Sequence, residues 1–324
     1  MRLEEFEPKG VIPACLLPFH PDLSIDEVSY RKHLRDVVDV EGISAITINA
    51  HASEVSSCSF EEQKRVLDIT ADEVGDRIPI VHGVFADNSM DAARIARMAE
   101  AGGAACLLVF PPSSFVLGAG RRPELTFAHF KTIAEATALP LICFQYPITS
   151  GLCYPLETLL ELVDQVPAVR AIKDWCNDPQ LHENHIRALQ SLPRPVNVLT
   201  THSAWLLSSL VLGCHGLLSG SGSVIADLHV ALWRAVQADD LRLARDTHER
   251  IFPVAEVFYA EPLIDMHNRM KEALVILGRL PSATVRPPLV KLTQPEIDRI
   301  EWALKRAGIG SQGASNEGYS LEGR

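Results

Sequence analysis

The chemistry in this chain is easiest to locate from a lysine that sits where lysines are scarce. Within "AVRAIKDWCND", residues 168–178, Lys173 interrupts a short apolar run formed by Val169, Ala171, Ile172 and Trp175. Charged side chains are rarely buried, so the ordinary explanation is a strand-end lysine with a buried stem and an amine in water. The chemical explanation is different. An amine in an apolar pocket loses hydration, its pKa falls, and more of it is neutral and nucleophilic. Neutral lysine adds to a carbonyl and forms a Schiff base. Of the eight lysines, Lys9 lies in the N-terminal tail, and Lys32, Lys64, Lys131, Lys271 and Lys305 fall on expected helices. Lys291 precedes the last helix, so only Lys173 lies on an expected strand.

The elements that must position it form a regular series. Apolar runs bounded by turn residues predict strands at 10–19, 43–50, 78–85, 105–111, 139–147, 169–175, 196–201 and 215–221. Near-continuous apolarity is the mark of strands covered on both faces. Helical segments with apolar spacing of three and four separate them, such as "NSMDAARIARMAEAG" and "PLETLLELVDQV". Ser24-Ile-Asp-Glu27 and Ser59-Phe-Glu-Glu62 both fit a capping box at a helix start. Eight βα units within residues 8–235 predict a (β/α)8 TIM barrel. An open doubly wound sheet is disfavoured because no G-x-G-x-x-G follows an early strand. After residue 235 the strand signal ends, and residues 236–309 predict a C-terminal three-helix extension. Residues 310–324 are Gly/Ser-rich and polar, the composition of a disordered tail.

Composition narrows the partners. Hydrophobic residues make up 47% of the 324 and charged residues 22%, with a net charge of −11. That balance argues against nucleic acid and against an anionic membrane surface. The seven cysteines have no C-x-x-C spacing, which implies neither a metal site nor a disulfide framework and fits a reduced, cytoplasmic setting. No apolar run is long enough to span a bilayer, and the acidic, polar N-terminus is unlike a signal peptide.

In a barrel, Ala171, Lys173 and Trp175 share one side of the sixth strand, and Asp174 faces the other. Barrel enzymes keep their chemistry at the C-terminal ends of the strands, which is where Lys173 falls.

Several segments together resemble the dihydrodipicolinate synthase / N-acetylneuraminate lyase family of Schiff-base aldolases. "GVIPACLLPF" resembles its first strand, "AIKDW" its lysine strand, "LPLICFQYPITSG" its fifth strand and "GCHGLLSGSGSV" its eighth. "SFEEQKRVLDITADEVGDRIPIVHGV" resembles the second helix and third strand, and the likeness spans roughly residues 8–309. The resemblance implies that Lys173 forms an imine with a 2-keto acid and needs no cofactor, since the imine is the electron sink. It also implies a homotetramer or homodimer.

The specificity motifs depart from the family pattern. Where the family carries G-[TS]-T-G-E, this chain has Ala50-His51-Ala52-Ser53-Glu54. The turn's backbone amides remain able to hold a carboxylate, with His51, Ala52 and Ser53 as its members. Ser53-Glu54 resembles the S-E of 2-keto-3-deoxyarabonate dehydratase-like members. Phe144 stands where the family has its catalytic tyrosine, and Tyr146 lies two residues on, on the same side. Thr149 matches the arginine that dihydrodipicolinate synthases use, and Ser113 lies near the second relay tyrosine, in a loop that also carries Arg121 and Arg122. Tyr146 or His51 is therefore the expected proton-transfer group, with His202 as a further histidine at the same barrel face. His82 is expected to be a packed residue. Ser219 and Gly220 are expected to shape the opposite wall.

These readings predict a Schiff-base lyase that cleaves or dehydrates a 2-keto-3-deoxy-type acid. The likeness to members that also lack the tyrosine favours dehydration. The alternatives are authentic dihydrodipicolinate synthase, acting on pyruvate and aspartate semialdehyde, and a catalytically impaired barrel that only binds a keto acid. A phosphate-binding barrel is weaker, because no Gly-rich turn after the last two strands demands a phosphate.

Overall fold

A computed structural model describes residues 6–201 and 205–310. Eight strands, β1 (Gly10–Pro13), β2 (Ile46–Ile48), β3 (Ile80–Val84), β4 (Cys106–Val109), β5 (Leu141–Gln145), β6 (Val169–Asp174), β7 (Asn197–Thr200) and β8 (Gly216–Ser219), run parallel in the order β1-β8-β7-β6-β5-β4-β3-β2. Parallel bridges from Val11 to Ile43 and from Ala14 to Thr47 join β1 to the β2 side and close the barrel. Every residue of β3, β4, β5, β7 and β8 is buried, as expected of strands covered inside and out. The expected (β/α)8 TIM barrel is the fold.

Helices α1 (Glu27–Val38), α2 (Phe60–Val74), α3 (Ser89–Ala101), α4 (Pro123–Ala134), α5 (Leu156–Gln165), α6 (Pro179–Gln190), α7 (Leu206–Val211) and α8 (Gly222–Gln237) follow the strands in turn. Ser59 caps α2 in a complete capping box with Glu62, a motif whose serine contributes about 1 kcal/mol. The second expected box does not form. Asp26 caps α1 by accepting from the Ser29 amide, while the Ser24 hydroxyl donates to Asp22. An antiparallel bridge between Phe19 and Ile25 holds the chain extended there, so the helix begins after it.

The apolar runs in the sequence outlast the hydrogen-bonded strands. Ala14–Phe19, Asn49–Ala50, Tyr146–Pro147, Trp175 and Gly220 extend past the ladder into the loops at the C-terminal mouth. These overhangs build the pocket. Beyond the barrel, α9 (Leu241–Phe258), α10 (Met266–Ile276) and α11 (Gln294–Arg306) form the expected three helices. Lys271 of α10 is fully buried, ion-paired with Glu54 and donating to the Thr284 carbonyl at 2.9 Å. No described helix is long and apolar enough to cross a membrane.

Candidate active site

Lys173 points into the barrel near the end of β6 and is 6% exposed. Burial lowers its pKa from 10.5 to about 7, because the ammonium form would lose its hydration there. Its amine stands 3.9 Å from the centroid of the Phe144 ring, its neighbour in register on β5. An aromatic face at that distance favours a cation, so this ring can stabilise positive charge at the amine.

Around the amine lies a pocket of about 380 Å³, its open mouth included. Ala50, His51 and Ala52 form one wall, Trp175 and Thr201 another, and Gly220 with Tyr259 a third. His51 begins a short 3-10 turn after β2. In that turn the Ser53 amide donates to Ala50 and the Glu54 amide to His51. Among the described residues no acceptor is bonded to the His51 and Ala52 amides, which precede them. Two free N–H groups at the start of a turn suit an anion. Gly83 on β3 lets this segment approach, since a Cβ there would stand 1.9 Å from the Asn49 carbonyl oxygen.

The His51 Nε2 shares a 2.5 Å hydrogen bond with the Tyr146 hydroxyl. Burial, reinforced by the nearby Lys173, lowers the His51 pKa to about 3, so the ring is neutral. Burial raises the Tyr146 pKa. Phe110 and Phe144 meet the His51 ring at 4.9 and 5.9 Å between centroids and fix its plane.

Lys173, His51, Ala52, Phe144 and Gly220 thus converge on one pocket, with Tyr146 hydrogen-bonded behind His51. Three expected contacts lie elsewhere. The Ser53 amide, expected in the carboxylate-holding turn, donates instead to the Ala50 carbonyl, and its fully buried hydroxyl donates to the Cys15 carbonyl at 2.9 Å, bracing the turn against the segment after β1. Ser219 is also fully buried, its hydroxyl bonded to those of Ser221 and Tyr259. Thr149 sits exposed on the turn Ile148–Ser150, away from the pocket, because the chain reverses there into the left-handed Gly151. His202 lies outside the described residues. Ser113, Arg121 and Arg122 are exposed, with Arg122 held by Glu124. His82 is packed as expected, bonded to Asn49 at 2.8 Å.

Asp174 faces outward, where its Oδ2 meets Nδ1 of His182 and of His185 at 2.8 and 2.7 Å. Among the described residues, Asp174, Cys176 and His185 are the one grouping with metal-ligand spacing. Their donor atoms are already engaged. The His185 Nδ1 serves Asp174, and the Cys176 thiol donates to the Asp178 carbonyl at 3.3 Å.

The sequence reading missed Tyr259, Met266 and His267, which line the pocket from the C-terminal extension. His267 stands against Gly220, where a Cβ would lie 2.9 Å from its Nε2. Burial, with His51, Lys173 and Lys271 nearby, holds the His267 pKa well below the usual imidazole value. The apolar spacing of α10 gave no hint that its first turn closes a pocket.

Residues 7–307 match the sequence profile of the Dihydrodipicolinate synthetase family. The 4-hydroxy-tetrahydrodipicolinate synthase of Methanopyrus kandleri is 27% identical over 95% of this chain and 99% of its own. The enzyme of the same name from Neisseria meningitidis serogroup B is 28% identical over 93% and 99%. Among solved structures, YagE from E. coli K12, a dihydrodipicolinic acid synthase family protein in complex with pyruvate, superposes with a TM-score of 0.86. It is 22% identical and covers 93% of this chain and 99% of its own, a likeness of fold.

Proposed function

Because the chain belongs to the dihydrodipicolinate synthetase family, we propose that Lys173 forms a Schiff base with a 4-hydroxy-2-keto acid and that the enzyme cleaves it as a lyase. This is the skeleton of the 2-keto-3-deoxy acids expected from the sequence. Cleavage is taken over the dehydration that the resemblance favours because the His51–Tyr146 pair can take up the C4 hydroxyl proton. The observation that carries the reading is the buried Lys173 amine, with its pKa lowered to about 7 and Phe144 at its side. At neutral pH about half of such an amine is free to attack.

The amine adds to C2 of the keto acid, water leaves, and a protonated imine forms. The His51 and Ala52 amides hold the carboxylate. The C4 hydroxyl then gives up its proton, the C3–C4 bond breaks, and C4 departs as an aldehyde. The bond's electron pair moves into a C2–C3 double bond and neutralises the imine nitrogen. Protonation at C3 and addition of water release pyruvate and restore the amine. Tyr146 and His51 carry the proton: burial disfavours both imidazolium and phenolate, so the pair accepts one proton as it passes on another.

Dihydrodipicolinate synthase activity is the second reading, favoured by the relatives that carry that name at 27–28% identity. Phe144 in the tyrosine's place and the exposed Thr149 count against it. Seven free cysteines, five of them buried, suit a cytoplasmic enzyme. Exposed Leu243, Phe252 and Trp302 on α9 and α11 offer apolar area for a homodimer or homotetramer, which light scattering of the purified protein would detect.

Incubation with pyruvate and borohydride, followed by intact mass and peptide mapping, tests the imine. The expected result is a reduced pyruvyl adduct on Lys173 that is absent from Lys173→Ala. No adduct on the wild-type protein with pyruvate or longer 2-keto acids would overturn the reading. Aspartate semialdehyde consumed together with pyruvate would favour the synthase.

A further inference from the structure

The lysine pocket opens into a vestibule of about 860 Å³ between the barrel mouth and the C-terminal extension. His51, Trp175, Met266 and His267 line both spaces, so a substrate held at Lys173 extends directly into it. The charged groups facing this space are already committed. Arg286 has five N–H donors, and all are used. Its Nε and Nη2 donate to the Leu23 carbonyl at 3.0 and 2.7 Å. Its Nη1 donates to the Ser57 carbonyl and to Glu62, both at 2.9 Å, and Nη2 also reaches Glu62 at 2.5 Å. Glu54 spends one oxygen on Lys271 and the other on the Arg286 amide at 2.9 Å. The Ser57 hydroxyl donates to the Glu54 carbonyl at 2.8 Å.

What remains is largely apolar. Phe85, Ile264, Met266 and Leu289 face the vestibule together with Pro287 and Pro288. Ile264 is 63% exposed, a large apolar side chain left bare at the rim. A polyhydroxylated tail would surrender its hydration here for few partners, and a carboxylate would meet no free cation among the described residues. An aromatic or branched alkyl group would instead cover bare apolar surface.

We infer that the C4 substituent of the substrate is apolar, an aryl or branched alkyl group seated on Phe85, Ile264, Met266 and Leu289. This rests on the Schiff-base reading and narrows it: the aldehyde released is hydrophobic, not a hydroxylated sugar fragment.

The test compares cleavage of 4-hydroxy-2-oxo-4-phenylbutanoate with that of 4,5,6-trihydroxy-2-oxohexanoate, following pyruvate release by the full-length protein. Borohydride trapping of pyruvate on Lys173 runs in parallel. The expected kcat/KM is at least about tenfold higher for the phenyl compound, a difference of ~1.4 kcal/mol. Ile264→Asp should reduce that ratio by at least about threefold, since it sets a hydrated charge against the ring. An adduct on Lys173 with equal or faster cleavage of the trihydroxy compound would overturn the inference and leave the imine chemistry standing. So would an adduct with neither compound cleaved, or an unchanged ratio in the variant. Without any adduct, the Schiff-base reading and this inference fall together.

Discussion

Tyr146 and His51 stand 95 positions apart in sequence, yet phenol and imidazole Nε2 meet at 2.5 Å at the mouth of the barrel. One follows β5 and the other follows β2, so only closure of the sheet brings them together. Neither side chain is placed to ionise, and their contact joins two neutral groups that can exchange roles as donor and acceptor.

Replacing Tyr146 with Phe removes that exchange and preserves the ring packing against Phe144. We expect kcat for aldol cleavage to fall about 10²-fold, the lower end of what a positioned proton-transfer group contributes. Pyruvate trapping on Lys173 should persist, because the amine itself is untouched. Steady-state kinetics beside borohydride labelling would check both; loss of trapping would place Tyr146 in imine formation instead.

The pH dependence of imine formation should report Lys173. Below about pH 7 the free amine is protonated and kcat/KM should fall tenfold per pH unit; above it the rate should level off. His51, with its pKa near 3, should not contribute to that limb. A limb that survives in a variant lacking His51 confirms the assignment, and one that vanishes there transfers it to the histidine.

Lys173 should also cost stability. Its pKa is about 7 when folded and near 10.5 when unfolded, so between those values the unfolded chain binds more protons. The penalty is present in full below pH 7 and fades as pH rises toward 10.5. Lys173→Met should therefore raise the unfolding free energy by ~2–4 kcal/mol at pH 6. The gain should shrink at pH 9.5, which urea titrations at the two pH values would measure.

Lys271 and Glu54 form a buried pair whose halves depend on each other. Glu54→Gln leaves the lysine uncompensated in an apolar setting and should destabilise the fold by about 3–5 kcal/mol. The double variant Glu54→Gln with Lys271→Met should recover part of that loss. A double variant no more stable than the single would show that Glu54 matters mainly through its bond to the Arg286 amide.

The barrel and its lysine were legible because both rest on short-range signals. Apolar runs of strand length alternate with helical spacing, and Lys173 is conspicuous within one of those runs. The contribution of α10 was not legible. Glu54 and Lys271 are 217 positions apart, and nothing in a helix's own periodicity says which distant turn it will cover. Lys271 therefore read as an ordinary helix lysine. Ser53 and Ser219 lie in the right segments, but the Ser53 amide closes the turn on Ala50 and the Ser219 hydroxyl is turned to Ser221 and Tyr259. Ser24 was misread for a related reason: a motif of capping type is silent about a bridge that delays the helix.

Met266 and His267 come from the helices after the barrel, and this divides the labour of the molecule. On the proposed chemistry, the strands carry the lysine that bonds to the substrate, whereas a segment outside the eightfold unit lines the space through which the substrate enters. Mutations in the stretch from Pro262 to Leu289 can reshape the vestibule's outer wall while the strand ladder stays as it is. A chain built this way can acquire a new substrate without relearning its reaction.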